Sequence, residues 1–365
     1  MYHKLSSQSI PPPLTTSLSL RKLHPVLKYL DRLYKDGIFM AGTILSGMRP
    51  TGRLHLGNYF GALENWVRLQ DQYDCYFFVA DWHALTTGYD STEVIKPNTY
   101  EMVADYLAAG LDPDKCVIFR QSDVKEHAEL HLLMSMITPL SWLERCPTYK
   151  DMIQQLSSKD INSYGFLGYP ALMSCDILMY MADTVPVGED QLPHLEFTRE
   201  MARRFNHLYG PVFPEPKALM TKAKVLPGTD GRKMSKSYNN TIALADDPEA
   251  VRAKVMSMVT DASRIKKTDP GHPDICSVYA YHKVFNEEQV PEITEQCCGG
   301  CIGCVQCKKM LAAKIQEYLT PIYQRRQQII ADKGYIDDVL EAGRVKAAAK
   351  AAATMDQVRK AMHLN

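Results

Sequence analysis

No apolar run in this chain reaches membrane-spanning length, because the longest candidates are broken by Asp, Pro or Gly. A cytoplasmic protein with no membrane contact is therefore expected. Charge of neither sign is in excess, since 42 Lys and Arg stand against 42 Asp and Glu, so contact with a polyanion has to come from a local patch. A secretory signal is lacking too, which makes a disulfide framework a poor reading of the ten cysteines. No internal repeat is present. What remains is an ordinary globular composition, 45% hydrophobic and 23% charged over 365 residues, enough for two domains.

Residues 1–39 differ from the rest of the chain. They hold a Ser/Thr/Pro stretch with Pro11-Pro12-Pro13, then an amphipathic helix pattern over 21–34. Residues 1–30 carry no acidic group, as in transit peptides, yet Met40 directly precedes the first strand. The segment is read as a flexible N-terminal extension, with a translation-start artefact and a transit peptide as alternatives.

Residues 42–46 read as a short buried strand, 47–52 as a loop and 59–69 as a helix, the opening of a nucleotide-binding α/β unit. Apolar runs at 76–80, 117–120 and 184–187 have strand length, and helical spacing recurs at 94–109, 126–137, 141–145, 170–181 and 194–205. Beyond Asn240 strand signals fade, and 248–259, 277–285, 308–331 and 336–362 all carry helical spacing. The expected fold is α/β: a Rossmann-like parallel-sheet catalytic domain over 40–240, then a mainly helical domain over 241–340. A C-terminal helix over 341–365, rich in Ala, is expected to pack back on the core.

Two short motifs carry the chemistry. His55-Leu56-Gly57-Asn58 sits at a strand-to-helix turn, where an imidazole and helix N–H groups suit phosphate oxygens and Gly57 permits close approach of a base. Lys233-Met234-Ser235-Lys236-Ser237 lies 178 residues downstream, and its paired lysines suit a loop that closes on pyrophosphate. Alone, the first is a capped helix and the second a solvated loop. Together, in this order, they resemble the two signatures of class I aminoacyl-tRNA synthetases.

The resemblance is most specific for the tryptophanyl branch. It rests on the run from Ser46 through Arg49-Pro50-Thr51 to Tyr59, on Pro186-Val187-Gly188-Glu189-Asp190-Gln191 continued by His194, Glu196, Arg199, Arg203, Phe205 and Asn206, and on Thr354-Met355 with Val358-Arg359. It implies ATP-dependent activation of tryptophan to an adenylate with release of pyrophosphate, then transfer to the matching tRNA, with Mg²⁺ accompanying ATP. Since a carboxylate is already a nucleophile, charge stabilisation matters more than proton transfer, and no Ser/His/Asp triad is needed. Carried over, Arg49, Pro50, Thr51, His55, Gly57 and Asn58 face ATP, and Gly188, Glu189 and Asp190 hold its ribose side. Met234, Ser235 and Ser237 also bind ATP, Lys233 and Lys236 take the leaving pyrophosphate, and Lys233, Lys236 and His55 form the catalytic set. A homodimer is implied as well.

Tyr169, Met173 and Asp176 share one helix face, where a carboxylate can accept the single N–H of an indole and Met173, Leu45, Val185 and Val187 can bury its rings. Plain core packing is the competing reading for Met173, and a helix salt bridge for Asp176. The resemblance gives Asp176 the indole, Tyr169 and Gln191 the α-amino group, and His83 a place near the ligand.

Five cysteines fall within 297–307, and Cys276 precedes them. Cys298, Cys301, Cys304 and Cys307 approach a ferredoxin-like spacing. Cys276, Cys297, Cys304 and Cys307 instead resemble the pattern of those tryptophanyl synthetases that carry a [4Fe–4S] cluster; a four-thiolate zinc site is the alternative. Cys75, Cys116, Cys146 and Cys175 read as inert core thiols. Lys308, Lys309, Lys314, Arg325 and Arg326 against Glu317 make a local basic patch suited to tRNA. Competing functions are a tyrosyl enzyme, a small-molecule nucleotidyltransferase, and a non-catalytic iron–sulfur regulator that binds tRNA.

Overall fold

The computed structural model describes residues 41–146, 149, 163–220, 224–332 and 334–365, so the expected extension over 1–39 lies outside the described residues. Strands β1 (Thr43–Met48), β2 (Asp74–Val79), β3 (Val117–Arg120), β4 (Thr184–Val187) and β5 (Lys217–Met220) form one sheet. All pairs are parallel and the order is β3-β2-β1-β4-β5. The runs in β2 and β3 are almost wholly buried, as strands covered on both faces must be. Chain order reverses between β1 and β4. In such a sheet the crevice at the carboxyl ends of those two strands is where a ligand binds.

Two expectations change at the sheet. Gly47 and Met48 belong to β1 and pair with Phe78 and Val79, where a loop was expected. Glycine suits that register because the Phe78 ring fills the space a Cβ would need. Strand β5 was not anticipated: it lies at the sheet edge with both end residues exposed, and its Ala-Leu-Met run is short and lacks β-branched or aromatic residues.

After β1, a helix opens at Leu56–Asn58, passes through a π-helical turn at Tyr59–Leu63 and continues as α1 (Glu64–Leu69). Helices α2 (Asp81–Gly88), α3 (Ile95–Ala109), α4 (Glu126–Ser135), α5 (Leu140–Glu144), α6 (Tyr164–Met179) and α7 (Leu192–Tyr209) complete the α/β part. Helix α6 starts six residues before the expected Pro170, because Ser163 caps it by accepting from the Phe166 N–H. The remainder is helical: α8 (Pro248–Ser257), α9 (Ser277–Phe285), α10 (Val290–Cys298), α11 (Cys304–Ala331) and α12 (Tyr335–Ala361). Asp247 caps α8 and Pro248 takes its first position. Helix α10 was not anticipated, and α11 begins at Cys304 rather than at 308.

Two cores lie on the two faces of the sheet. One gathers Ile44, Phe77 and Ile118 with Trp66, Tyr106 and the α11 residues Leu311, Ile315 and Leu319. The other gathers Leu45, Phe78 and Phe119 with Leu130, Cys175 and Leu178. Helix α12 serves both: Ile336, Val339 and Leu340 enter the first, and Ala347, Ala351, Met355 and Val358 the second. Between these sets it passes β3 so closely that a Cβ on Gly343 would overlap the Ile118 carbonyl. The free edge of β3 is thus covered.

Candidate active site

The carboxyl ends of β1 and β4 open into a cleft of about 700 Å³, a size that suits a small ligand. Its floor is apolar, formed by Leu45, Met173, Val185 and Val187, with Tyr169, Gln191 and His83 around it. Arg49, Gly57, Gly188, Asp190 and Lys233 line the remainder. Both of the sequence-derived pockets therefore open into one cavity.

Asp176 is the buried charge of this cleft, 1% exposed. Its Oδ1 accepts from His127 Nδ1 at 2.7 Å and Gln121 Nε2 at 2.8 Å; its Oδ2 accepts from His83 Nε2 at 2.8 Å. Burial alone would raise its pKa, but the hydrogen bonds from His127 and His83 outweigh that and hold it down to about 2. The carboxyl is ionised and acceptor-only at neutral pH. A helix salt bridge, the competing reading, is not what holds it: its partners are two imidazoles and an amide.

The two signatures are physically joined. Leu56 N–H donates to the Ile242 carbonyl and Leu244 N–H to the Leu54 carbonyl, both at 2.9 Å, so residues just past the lysine loop pair antiparallel with the first signature. Lys236 Nζ donates to the Thr51 carbonyl at 2.7 Å. His55 and Asn58 form a reciprocal capping box: Asn58 N–H donates to His55 Nδ1, and His55 N–H to Asn58 Oδ1. His55 Nδ1 is thus an acceptor. Burial, with a contribution from Lys236, lowers its pKa to about 4, so the ring is neutral and carries its proton on Nε2.

Not every sequence-derived ATP residue lines the cleft. The Met234 side chain is 7% exposed and packs in the first core, away from the cleft lining. Pro50 is buried, Glu189 is exposed, and Ser235 and Ser237 bond each other through their hydroxyls at 2.8 Å. Asn240, which sequence reasoning missed, pins the loop: its Oδ1 accepts from Ser235 N–H at 2.7 Å and its Nδ2 donates to Asp230 Oδ1 at 2.7 Å. Gln121 and His127 were missed as well, although they follow the carboxyl end of a parallel strand, where ligand-facing residues collect.

In the helical part, Cys276, Cys297, Cys304 and Cys307 are half-buried, while Cys298 and Cys301 are exposed. Burial, reinforced by the nearby Cys276, Cys297 and Cys304, pushes the Cys307 thiol up to about 12. Arg264 Nη1 lies 3.9 Å from the sulfurs of both Cys297 and Cys304. Among the described residues no three His, Cys, Asp or Glu side chains are gathered tightly enough to hold a single ion. One member of the expected basic patch is removed: Arg326 is buried, paired with Asp105 at 2.7 Å and Glu101 at 2.5 Å. Lys314 pairs with Glu317 and Lys308 donates to the Met256 carbonyl, while Lys309 and Arg325 face outward.

Residues 41–320 match the family model described as tRNA synthetases class I (W and Y), and the chain belongs to that family. Curated relatives agree. A tryptophan–tRNA ligase of Thermotoga maritima is 52% identical over 88% of this chain and 99% of its own, and one from Aquifex aeolicus is 46% identical over 88% and 99%. Among solved structures, tryptophanyl-tRNA synthetase from Campylobacter jejuni, complexed with ADP and tryptophan, superposes with a TM-score of 0.79 at 33% identity, covering 88% of this chain and 99% of that one. No helix among the described residues is long and apolar enough to cross a membrane.

Proposed function

We propose that this chain is a tryptophan–tRNA ligase that activates tryptophan with MgATP and transfers the aminoacyl group to its tRNA in the cytoplasm. In the first step a carboxylate oxygen of tryptophan attacks the α-phosphorus of ATP. The bond to the β-phosphate bridging oxygen breaks, and pyrophosphate leaves. In the second step a terminal ribose hydroxyl of the tRNA attacks the activated carbonyl, its proton is lost and AMP leaves. The observation that carries the reading is Asp176, an ionised acceptor buried at the apolar end of a cleft whose other end bears both nucleotide signatures.

The roles follow from the chemistry. Asp176 accepts the indole N–H while Met173, Leu45, Val185 and Val187 cover the rings; Tyr169 and Gln191 bind the α-amino group, with His83 beside the ligand. Neutral His55 donates through Nε2–H, and the helix start at Leu56 offers backbone N–H groups to phosphate. Arg49, Thr51, Gly57 and Asn58 complete the ATP wall, and Gly188, Glu189 and Asp190 its ribose side. Lys233 and Lys236 stabilise the charge that develops on the leaving pyrophosphate. For that, Lys236 must exchange the Thr51 carbonyl for a phosphate oxygen. ATP–pyrophosphate exchange with each amino acid tests the reading: exchange with tryptophan alone is expected, and exchange with tyrosine instead overturns it.

We assign Cys276, Cys297, Cys304 and Cys307 as the residues that would hold a [4Fe–4S] cluster. The reading rests on their likeness to the cysteine pattern of cluster-bearing tryptophanyl synthetases, with a four-thiolate zinc site as the alternative; Cys276, Cys297 and Cys304 lie near enough to Cys307 to act on its thiol. Arg264 supplies positive charge to two of them. A cluster held there would rigidify residues 297–307 and so the start of α11, which carries Lys309 and, further along, Arg325 towards tRNA. Anaerobically purified protein is expected to contain iron and acid-labile sulfide; one zinc per chain without iron overturns the assignment. A homodimer is proposed on family grounds, testable by its mass in solution.

A further inference from the structure

Asp176 does not stand alone, and the groups behind it have no part in either step of the proposed reaction. His127 is fully buried and lies outside the cleft. Its Nε2 is 2.9 Å from the hydroxyl of Tyr180, itself fully buried. Because the carboxylate only accepts, His127 must present Nδ1–H to it, while Nε2 meets the Tyr180 hydroxyl. The ring is therefore held from behind. The imidazole packs against Phe78 and Phe119, whose ring centroids both lie 6.3 Å away.

Gln121 adds a second fixed donor. It is fully buried, its Nε2 reaches both Asp176 oxygens at 2.8 and 3.0 Å, and its Oε1 has no partner among the described residues. An amide that leaves its carbonyl unpaired in order to aim its nitrogen at one carboxylate is poorly explained by packing, since an orphan buried acceptor is unfavourable. His127 and the shorter Gln121 bond thus occupy Oδ1. Oδ2 takes the longer Gln121 bond and His83, the one donor of the three that lines the cleft.

We infer that Tyr180, His127 and Gln121 are positioning residues that set amino-acid specificity: they saturate and orient Asp176 from behind, so that Oδ2 faces the cleft as an acceptor of a ring N–H. None of them touches the amino acid. This deepens the proposed tryptophan activity and rests on it. The device selects by hydrogen-bond chemistry rather than by shape, because an isosteric ring without an N–H leaves the oriented acceptor unpaired.

The test compares exchange kcat/KM for tryptophan with that for its analogue in which sulfur replaces the ring N–H. In the unaltered protein tryptophan is strongly preferred. His127→Leu is expected to lower that preference at least about tenfold, the effect of one hydrogen bond to a charged group, chiefly through a higher KM for tryptophan. His127→Asn, which retains a donor near the Nδ1 position, restores most of the preference. Tyr180→Phe removes one hydroxyl, lowers the preference by a smaller factor, and carries the same criterion should His127→Leu fail to fold. Equal losses for both substrates, or an unchanged ratio, overturn the inference. If the unaltered protein exchanges with neither substrate, the proposed function fails instead, so the two failures are distinguishable.

Discussion

Asn240 shows how a single side chain sets the shape of the lysine loop. Buried at 2% exposure, it closes the loop by bonding Ser235 N–H, Asp230 and the Lys233 carbonyl. Removing one partner of a buried hydrogen bond is unfavourable by about 1–3 kcal/mol. Asn240→Ala is therefore expected to lower kcat for exchange by about tenfold while leaving the KM for tryptophan within about threefold, as steady-state kinetics would show. Titration gives a second prediction. His55 is depressed from 6.5 to about 4, so between those values the unfolded chain takes up the proton that the folded chain refuses. Stability present above pH 6.5 declines as pH falls towards 4, and His55→Gln flattens that part of a urea-midpoint profile. Asp176, held near 2, stays ionised throughout the same window, so tryptophan affinity owes no acid limb to it above pH 4. Asp176 was legible because it stands one helical turn from Met173 beside a recognisable run. Asn240, Gln121 and His127 were not, because their importance lies in what they touch across 5 to 55 residues of chain rather than in any local pattern.

At the level of elements, patterning recovered what is buried and periodic. Strands β2, β3 and β4 were visible as apolar runs, whereas β5 was not, since its short run lacks β-branched or aromatic residues and its composition loses the signal. Gly47 misled the reading for a related reason: glycine marks a loop in sequence, but here it marks a close approach to Phe78 inside a strand. Gly343 is the helical counterpart. Gly343→Ala forces α12 away from the Ile118 carbonyl, and overpacking of this kind destabilises by about 1–3 kcal/mol. The expected outcome is a Tm lower by about 2–10 °C with exchange kinetics at 25 °C unchanged, measured by calorimetry and by initial rates.

Across the whole molecule, α11 ties the cysteine region to the first signature. Its 28 residues span about 42 Å, with Cys304 and Cys307 at one end. Further along, the Tyr318 and Tyr59 hydroxyls meet at 3.0 Å, and Arg326 bonds Asp105, whose other oxygen accepts from Leu54 N–H at 2.6 Å, one residue before His55. Arg326 was read from sequence as an RNA contact. Its charge instead acts inside the protein, on the backbone that carries the first signature. Arg326→Met strands Asp105 and is expected to destabilise by about 3–5 kcal/mol. It should raise the KM for ATP more than that for tryptophan. Equal effects on both KM values would show that Arg326 does not act through the signature.

The path of α12 also bears on how the chain is made. Gly343 meets Ile118, 225 positions earlier (343 − 118); the first core is not complete until Leu340 is present and the second not until Val358. At about 5–20 residues per second, β3 emerges from the ribosome about 10–45 s before the helix that covers its edge. During that interval the β3 edge and two unfinished apolar faces are exposed on the nascent chain, so the yield of folded protein is governed by what shields them until α12 arrives.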